Sequence, residues 1–195
     1  LVIHLKMTGQ LIWVKGTKWL AEGHPTNDLA TTVQPTWPNN TTRLIINLSD
    51  NATLFFNDSR RFGWVRLMSA SEWQSYQNKL GVEPLSKNFT NEFLLTLLAQ
   101  RPHSRIKPLL LNQKYIAGLG NIYTDEALFR AGIRPDRLAG QISPTEVNKL
   151  ASAIQTVLTE AISHRGTTFS DYRDGYGQKG SLLKISYETL KKTCE

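Results

Sequence analysis

The hydrophobic pattern of this chain changes its period near residue 70, and that change constrains the fold more than any other feature. Before residue 70 the apolar residues form short runs rich in β-branched and aromatic side chains, which is typical of strands. After it they recur every three or four residues between helix start signals, which is typical of amphipathic helices. The pattern therefore predicts an α+β multidomain protein, with a β domain followed by a helical domain.

Five short strands are predicted in the first half, over residues 1–6, 10–14, 43–48, 52–56 and 62–67. A hairpin turn is predicted between the third and fourth of these strands, at Ser49-Asp50-Asn51. Residues 21–42 are rich in Pro, Asn and Thr, so we expect a long loop there.

Capping residues mark the helices of the second half. A capping box begins at Ser69, and Gly81 is expected to end that helix. Thr90 begins a second predicted helix over 92–101, which Pro102 stops.

Two more helix starts follow along the chain. Ser104 is expected to begin a third helix. Ser143 is the N-cap of another, with Pro144 at its first position and Glu146 at its third. Apolar residues then recur at helical spacing, which predicts a buried stripe made of Val147, Leu150, Ile154, Val157, Leu158 and Ala161.

The charge of the chain points to a polyanionic partner. The formal net charge is +7 over 195 residues, and the basic residues are spread through both halves.

The single cysteine, Cys194, excludes a disulfide framework and a complete cysteine zinc site within this sequence. No apolar run is long enough for a bilayer and no signal peptide is recognisable, so we expect a cytosolic, reducing compartment. The chain begins inside an apolar run without an initiator Met, and we expect it to be a piece of a longer protein.

A glycine-hinged turn at Gly118 and Gly120 leads directly into a predicted helix. Asn121 is expected to be its N-cap, with Asp125 and Glu126 in the first turns. Free N–H groups at such a helix start bind phosphate. Two glycines and a cap also fit an ordinary packed helix, and the third glycine of a dinucleotide-binding fingerprint is absent. Three nearby cations strengthen the phosphate-binding interpretation over that of a solvated face: Arg101, Arg105 and Lys107.

A second motif runs from His4 to Gly9. His4 and Lys6 are predicted to share one face of a strand, with Met7 on the other face. Met7 leads into a glycine turn, where it could project as a flexible apolar finger. The alternative is a core methionine beside a turn.

A third motif, Asn57 to Gly63, places two arginines and an aromatic residue at a loop tip. Arginine can pair with phosphate or enter a base stack, and Phe62 could wedge between bases. The alternative is an ion-pair network between Asp58 and the arginines, with Phe62 in the core.

Four motifs occur in a fixed order along this sequence: His-x-x-Met-Thr-Gly from residue 4, Asp-x-Arg-Arg-Phe-Gly from 58, Ala-Gly-Leu-Gly-Asn-Ile-Tyr-x-Asp-Glu from 117 and Gly-Thr-Thr-x-x-Asp-Tyr from 166. Together they closely resemble the formamidopyrimidine-DNA glycosylase family of bacterial base-excision repair enzymes, over residues 1–181. The resemblance implies a chain truncated at both ends, with four parts. These are a partial N-terminal β-sandwich catalytic domain over 1–69, a linker and helix over 70–88, a helix–two-turn–helix DNA-binding domain with a lesion-recognition loop over 89–181, and a divergent tail over 182–195.

The resemblance also implies roles for individual residues. The family inserts a void-filling triad where a damaged base has been flipped out, and its counterparts here are Met7, Arg60 and Phe62. The residues that resemble the family's clamp on the bent DNA backbone are His4, Lys107 and Asn121. Arg101 resembles a further DNA contact, and Glu126 an organising residue. The loop that closes on an everted oxidised purine would include Thr167, Thr168, Tyr172 and Arg173.

Three departures from the family pattern are present. The Pro-Glu pair that supplies the family's amine nucleophile and proton-transfer group does not occur here, so no catalytic residue is assigned in this chain. The family's C-terminal zinc finger uses four cysteines and this sequence has one, so the zinc finger is expected to be missing and no cofactor is expected here, although the full-length family carries zinc. Thr41 stands where a histidine is common, and its DNA contact is expected to be weakened or lost.

The function implied by the resemblance is base-excision repair. The family removes oxidised purines such as 8-oxoguanine and formamidopyrimidines by hydrolysing the N-glycosidic bond, then cleaves the abasic strand as a lyase. The implied protein is a bacterial, cytoplasmic, nucleoid-associated monomer that binds double-stranded DNA containing oxidised bases or abasic sites. One alternative is a non-catalytic module that binds damaged DNA, because Pro-Glu is absent. Another is an endonuclease VIII-like glycosylase for oxidised pyrimidines, although the triad and the Gly-Thr-Thr loop favour purines.

Overall fold

A computed structural model describes residues 1–23, 36–166 and 181 of the chain. The chain forms two compact units, divided after Met68 and again after Ile162. In the described part of Leu1–Met68 the first unit is built of strands, and the second unit, Ser69–Ile162, is helical. The α+β fold class predicted from the change of period is therefore confirmed.

Among the described residues of the first unit, six strands form two antiparallel sheets. In chain order they are β1 (Val2–His4), β2 (Gly9–Lys15), β3 (Lys18–Gly23), β4 (Thr42–Asn47), β5 (Thr53–Asp58) and β6 (Trp64–Arg66). One sheet has the strand order β3-β2-β5-β4, and the other pairs β1 with β6. The predicted hairpin turn lies between β4 and β5, where the Leu48 amide donates to Ala52 O at 2.8 Å.

A small apolar core covers one face of the four-stranded sheet. Ile12 on β2 is fully buried and lies between Ala21 on β3 and Phe55 on β5. Val14 and Trp37 pack against these three residues. Because side chains alternate along a strand, this face is set by the two-residue period of the predicted strands.

Strand β3 was not predicted, and the predicted loop over 21–42 overlaps its last three residues. Most of its side chains are exposed, so its sequence has little of the apolar alternation that marks a half-buried strand. It is an edge strand held by its pairing with β2, across a turn in which Gly16 has a φ of +58°.

The prediction that His4 and Lys6 share a strand face was wrong. Strand β1 ends at His4, and Lys6 has a φ of +55°, which takes the backbone out of the strand. The chain then turns sharply, with the Gly9 amide donating to Leu5 O at 2.8 Å. A Cβ atom at Gly9 would clash with that oxygen, so the turn requires glycine.

The second unit contains the helices α1 (Ala70–Gln77), α2 (Asn91–Gln100), α3 (Ile106–Leu110), α4 (Asn121–Ala131) and α5 (Pro144–Ser163), with a short 3₁₀ helix at Ala139–Gln141. All of these except α1 contribute buried residues to one apolar core. The predicted stripe on α5 is confirmed. Val147, Leu150, Ile154 and Val157 are each at most 1% exposed, Ala161 is buried and Leu158 packs against the core.

The capping boxes at Ser69 and Ser143 are confirmed, and Thr90 caps α2 as predicted. Other predicted boundaries were displaced. Helix α1 ends at Gln77 rather than at Gly81, whose own place is fixed by contact with the backbone of Tyr115.

Helices α3 and α4 also begin differently from the prediction. The N-cap of α3 is Arg105, not Ser104, because Arg105 has the extended backbone of a capping residue. The N-cap of α4 is Gly120, not Asn121, and no side chain caps it. No acidic residue lies in the first turn of α4, and Asp125 and Glu126 lie in its second turn.

Candidate nucleic-acid interface

The two motif-bearing turns of the first unit lie side by side because of the strand pairing. Residues 5–8 connect β1 to β2, and residues 59–63 connect β5 to β6. Strand β1 pairs with β6 through His4 and Trp64, and β2 pairs with β5 through Gly9 and Asp58. At one end, both turns are therefore held by the β1–β6 pair. At the other end, both are held by the β2–β5 pair.

The side chain of Asp58 joins the two turns. Asp58 is 1% exposed, and one of its carboxylate oxygens accepts hydrogen bonds from the hydroxyl of Thr8 and, at 3.2 Å, from the amide of Arg60. The other oxygen accepts from the amide of Gly63 at 2.7 Å. Burial raises the pKa of this carboxyl, but the hydrogen bonds outweigh burial and hold the pKa below its ordinary value.

Met7, Arg60 and Phe62 form an exposed cluster above this carboxylate. Met7 is 62% exposed and Phe62 is 55% exposed, so neither belongs to the core. The guanidinium of Arg60 lies 5.2 Å from the centre of the Phe62 ring, and its Nη1 lies 3.9 Å from the sulfur of Met7. The two apolar side chains and the cation between them form a small exposed patch, a surface on which a partner can bind.

His4 lies at the end of β1, next to the Met7 turn. Its Nδ1 accepts a hydrogen bond of 3.1 Å from the amide of Lys6, and its ring centre is 5.7 Å from that of Trp64. Partial burial and the positive charge of Lys6 lower the pKa of His4 below its ordinary value. At neutral pH the ring is therefore mostly uncharged, and it can donate a hydrogen bond from Nε2 without a formal charge.

In the second unit, the turn before α4 is held by a side chain. Gln113 accepts from the Gly118 amide at 2.8 Å and donates to Leu119 O at 2.9 Å. Gly118 has a φ of +78°, as expected for a glycine hinge. Since no side chain caps Gly120, the first amides of α4 remain available to an anion.

The other predicted residues of the second unit lie on three different elements. Asn121 is the exposed first residue of α4. Lys107 on α3 makes a 2.8 Å ion pair with Asp125, which ties α3 to α4. Arg101, the C-cap of α2, lies with its guanidinium 5.4 Å from the ring centre of Tyr115.

Glu126 on α4 takes part in an ion-pair network. It pairs with Arg130 at 2.9 Å, and Arg130 also pairs with Glu160 on α5 at 2.7 Å. Burial lowers the pKa of Arg130, but the hydrogen bonds that it donates to both carboxylates outweigh burial and raise the pKa above its ordinary value. The network joins α4 to α5 within the second unit.

Of the predicted site residues, His4, Met7, Arg60 and Phe62 share the first unit, and Arg101, Lys107 and Asn121 share the second. Thr167, Thr168, Tyr172 and Arg173 lie outside the described residues, as does Cys194.

The sequence did not predict that Asp58, Thr8 and Gln113 hold these turns together. For Asp58 the available indication was an aspartate at the end of a strand and before a loop, a common place for a side chain that binds nearby backbone amides.

The chain does not fit a four-cysteine zinc site, because such a site needs four thiolates and this sequence has one cysteine. Among residues 1–23, 36–166 and 181, no group of three or more His, Cys, Asp or Glu side chains could hold a metal ion. Over the same ranges, no helix combines the length and apolar character needed to cross a membrane.

Comparison with known proteins gives matches along most of the chain. Residues 1–65 match the family model of the formamidopyrimidine-DNA glycosylase N-terminal domain, and residues 80–173 match that of the formamidopyrimidine-DNA glycosylase H2TH domain. A curated relative named formamidopyrimidine-DNA glycosylase from Pelotomaculum thermopropionicum is 45% identical over 100% of this chain and 65% of its own length. One of the same name from Syntrophomonas wolfei is 42% identical over 93% of this chain and 60% of its own length. The chain thus spans less than two thirds of these bacterial relatives.

Solved structures give the same result. The MutM (Fpg) protein of Thermus thermophilus is 33% identical with a TM-score of 0.73, covering 94% of this chain and 61% of its own. The Lactococcus lactis Fpg in complex with an abasic-site DNA is 27% identical with a TM-score of 0.73, covering 94% of this chain and 60% of its own. Both matches span the β unit and the helical unit. The chain belongs to the formamidopyrimidine-DNA glycosylase family.

Proposed function

We propose that this chain supplies the DNA-gripping and void-filling surfaces of a base-excision repair glycosylase. The whole protein would remove oxidised purines, such as 8-oxoguanine and formamidopyrimidines, by hydrolysing the N-glycosidic bond, and would then cleave the abasic strand as a lyase. The observation that carries this proposal is the exposed cluster of Met7, Arg60 and Phe62. The names of the relatives favour the oxidised-purine branch over the endonuclease VIII branch.

The cluster has the chemistry needed to refill a base stack. An enzyme that reacts on a base must take that base out of the duplex, which leaves a gap between its stacked neighbours. Apolar side chains inserted into such a gap recover burial, worth about 1.5–3 kcal/mol for a fully buried large side chain. The planar guanidinium of Arg60 can stack in the gap and donate hydrogen bonds to the unpaired partner base.

The second unit offers phosphate-binding groups. The uncapped amides at the start of α4, with Asn121 as the first helical residue, suit a backbone phosphate. Lys107 and Arg101 add positive charge, and Lys107 would share its charge between Asp125 and a phosphate. In the first unit, His4 is proposed as a neutral hydrogen-bond donor to the DNA backbone near the lesion. Thr167, Thr168, Tyr172 and Arg173 stay proposed for the loop over the everted base.

The catalytic steps are proposed for the whole protein and are assigned to no residue of this sequence. Pro-Glu does not occur in these 195 residues. The residues of this chain would bind the DNA, bend it and fill the gap left by the everted base. The proposed partner is double-stranded DNA with oxidised bases or abasic sites. The relatives are bacterial and the chain is strongly basic, which supports a proposed place at the cytoplasmic nucleoid.

Binding measured by fluorescence anisotropy tests the proposal. Three duplexes of one sequence are compared: undamaged, with 8-oxoguanine, and with a tetrahydrofuran abasic analogue. We expect tighter binding to the two modified duplexes, with the analogue strongest because its gap is already open. Equal affinity for all three at every salt concentration would reject the void-filling function while leaving simple DNA binding possible.

A further inference from the structure

The carboxylate of Asp58 is buried beside the residues proposed to contact DNA, and the proposed function gives it no role. It is 1% exposed, at the last residue of β5, and it does not reach the surface that would meet DNA. A buried carboxylate is costly unless its oxygens accept hydrogen bonds. Here every donor is a hydroxyl or backbone amide of the two exposed turns, so the carboxylate stabilises those turns in particular.

The groups that donate hydrogen bonds to Asp58 come from both turns that carry the cluster of Met7, Arg60 and Phe62. Thr8 directly follows Met7, while Arg60 and Gly63 flank Phe62. The hydroxyl of Thr8 also accepts from the amide of Arg60 at 3.3 Å, so the Met7 turn and the Phe62 loop touch a second time. One carboxylate and one hydroxyl thus tie two turns through contacts between residues 50 and 52 positions apart in sequence.

The exposed side chains depend on this connection for their placement. Met7 and Phe62 are more than half exposed, so packing from the core does not fix them. Arg61, between Arg60 and Phe62, has a φ of +60°, a conformation that a non-glycine residue keeps only when its surroundings impose it. The hydrogen bonds to Asp58 on both sides of Arg61 impose it.

We propose that Asp58, together with Thr8, is a positioning pair that locks the Met7 turn to the Arg60–Phe62 loop, so that the three side chains enter DNA as one preassembled wedge. This rests on the void-filling function proposed above. A preassembled wedge loses less side-chain freedom on insertion than three independent side chains, and this gain is specific to DNA that has a gap to fill. The lock therefore controls discrimination between gapped and intact duplex rather than general affinity.

Two substitutions break the lock with little change in shape. Thr8→Val removes only the hydroxyl, and Thr8→Ser keeps it as the matched control. Asp58→Asn keeps the shape but replaces one accepting oxygen with a donor, which cannot satisfy both turns. Asp50→Asn is the second control, because Asp50 is another carboxylate of the same unit that accepts a backbone amide, from Ala52 at 3.2 Å.

The first measurement is the ratio of dissociation constants for undamaged and tetrahydrofuran-containing duplex. We expect Thr8→Val and Asp58→Asn to lower this ratio by about tenfold, the scale of ordering two or three side chains. Thr8→Ser and Asp50→Asn should keep the wild-type ratio. If Thr8→Val and Asp58→Asn keep that ratio as well, or if they weaken binding to both duplexes equally, the positioning proposal is overturned.

The second measurement is the coupling between Met7→Ala and Phe62→Ala in a double-mutant cycle. In the wild-type background their losses of discrimination should be non-additive, because the wedge acts as a unit. In the Thr8→Val background they should become additive. A merely structural role for Thr8 would leave the coupling unchanged, and that result would also overturn the proposal.

Amide hydrogen exchange in the absence of DNA separates this inference from the proposed function. The amides of Arg60 and Gly63 should be protected in the wild type and should exchange faster in Asp58→Asn, while Asp50→Asn leaves them protected. If wild-type protein fails to discriminate between the duplexes, the void-filling function is rejected. Even then, hydrogen exchange still tests the lock between the two turns. Unchanged exchange of the Arg60 and Gly63 amides in Asp58→Asn would overturn the lock independently of DNA binding.

Discussion

Gln113 closes the turn before α4 by accepting a 2.8 Å hydrogen bond from the amide of Gly118. The same side chain donates to the carbonyls of Leu119 and Leu111, at 2.9 and 3.1 Å. One exposed glutamine therefore fixes three backbone groups of a turn whose glycine hinge would otherwise be flexible. The start of α4 depends on this turn for its position.

Gln113→Ala should destabilise the second unit and weaken its hold on DNA. Three hydrogen bonds at about 0.5–1.5 kcal/mol each, partly replaced by water, predict a loss of about 1–3 kcal/mol in the free energy of unfolding. Urea unfolding followed by circular dichroism measures it. Gln74→Ala is the control, because Gln74 is an exposed glutamine of α1 that bonds only to Asn78, and its loss should stay within about 0.5 kcal/mol. Equal stabilities for the two variants would show that Gln113 does not fix the turn.

Arg60→Ala and Phe62→Ala should reduce affinity for abasic or lesion-containing DNA more than for intact duplex. Both side chains are expected to act after the base has been everted, and intact DNA offers them no gap. The measurement is anisotropy on matched duplexes at one salt concentration. Arg66→Ala removes the same charge from an arginine that lies 4.7 Å from the ring of Trp64, and it should weaken binding to both duplexes alike. Equal losses on both duplexes for Phe62→Ala would return this loop to a structural role.

Affinity for duplex DNA should fall steeply with salt, because the proposed contacts are mostly cations on phosphates. Lys107→Ala should lower the slope of log K against log salt by about 0.9, the value of one phosphate contact. Lys149→Ala is the matched control, since Lys149 is an exposed lysine on α5 outside the proposed interface. A salt-independent binding curve for the wild type would reject nucleic acid as the partner.

Local patterns were enough to predict most elements but not those set by pairing or by single capping residues. The stripe on α5 was predictable because one face of a helix is buried along its whole length. Strand β3 was not, because Trp19 and Leu20 are 40% and 51% exposed and its alternation is weak. Asn121 is a good capping residue by type, yet Gly120 has the extended backbone at that helix start, and composition cannot rank the two.

The candidate site was predictable as residue types and not as an arrangement. The motifs named Met7, Arg60 and Phe62, but their contact follows from the pairing of β1 with β6 and of β2 with β5. Such long-range pairing leaves no local mark in the sequence. For the same reason Asp58 was considered as a partner of arginine side chains, whereas its carboxylate binds backbone amides and Thr8.

The start of α5 should resist acid because of Glu146. Its side chain accepts from Arg137 and from the amide and hydroxyl of Ser143, and these contacts lower its pKa to about 2. A carboxylate with a lowered pKa stabilises the fold fully above its unfolded pKa, near 4.3, and loses that stabilisation as the pH falls through its folded pKa. Wild type should therefore exceed Glu146→Gln in melting temperature at pH 6, with the difference shrinking between about pH 4.5 and pH 2. A difference that does not depend on pH would show that the charge of Glu146 is not responsible.

The 195 residues alone should form no Schiff base with abasic DNA. Covalent capture needs an unprotonated amine beside the sugar C1′, and the Pro-Glu pair that supplies it in the family does not occur in this sequence. An ordinary lysine has a pKa near 10.4, so at pH 7 only about one in 2,500 is unprotonated. Borohydride trapping on abasic duplex, read by gel shift under denaturing conditions, should therefore give no adduct. A fusion that places the preceding segment of a family relative, beginning with Pro-Glu, before Leu1 should restore trapping and strand cleavage. An adduct with the unfused chain would show that this chain supplies a substitute amine, and it would overturn the assignment of the catalytic steps outside this sequence. Lys6→Arg and Lys107→Arg would then be the first substitutions used to identify that amine.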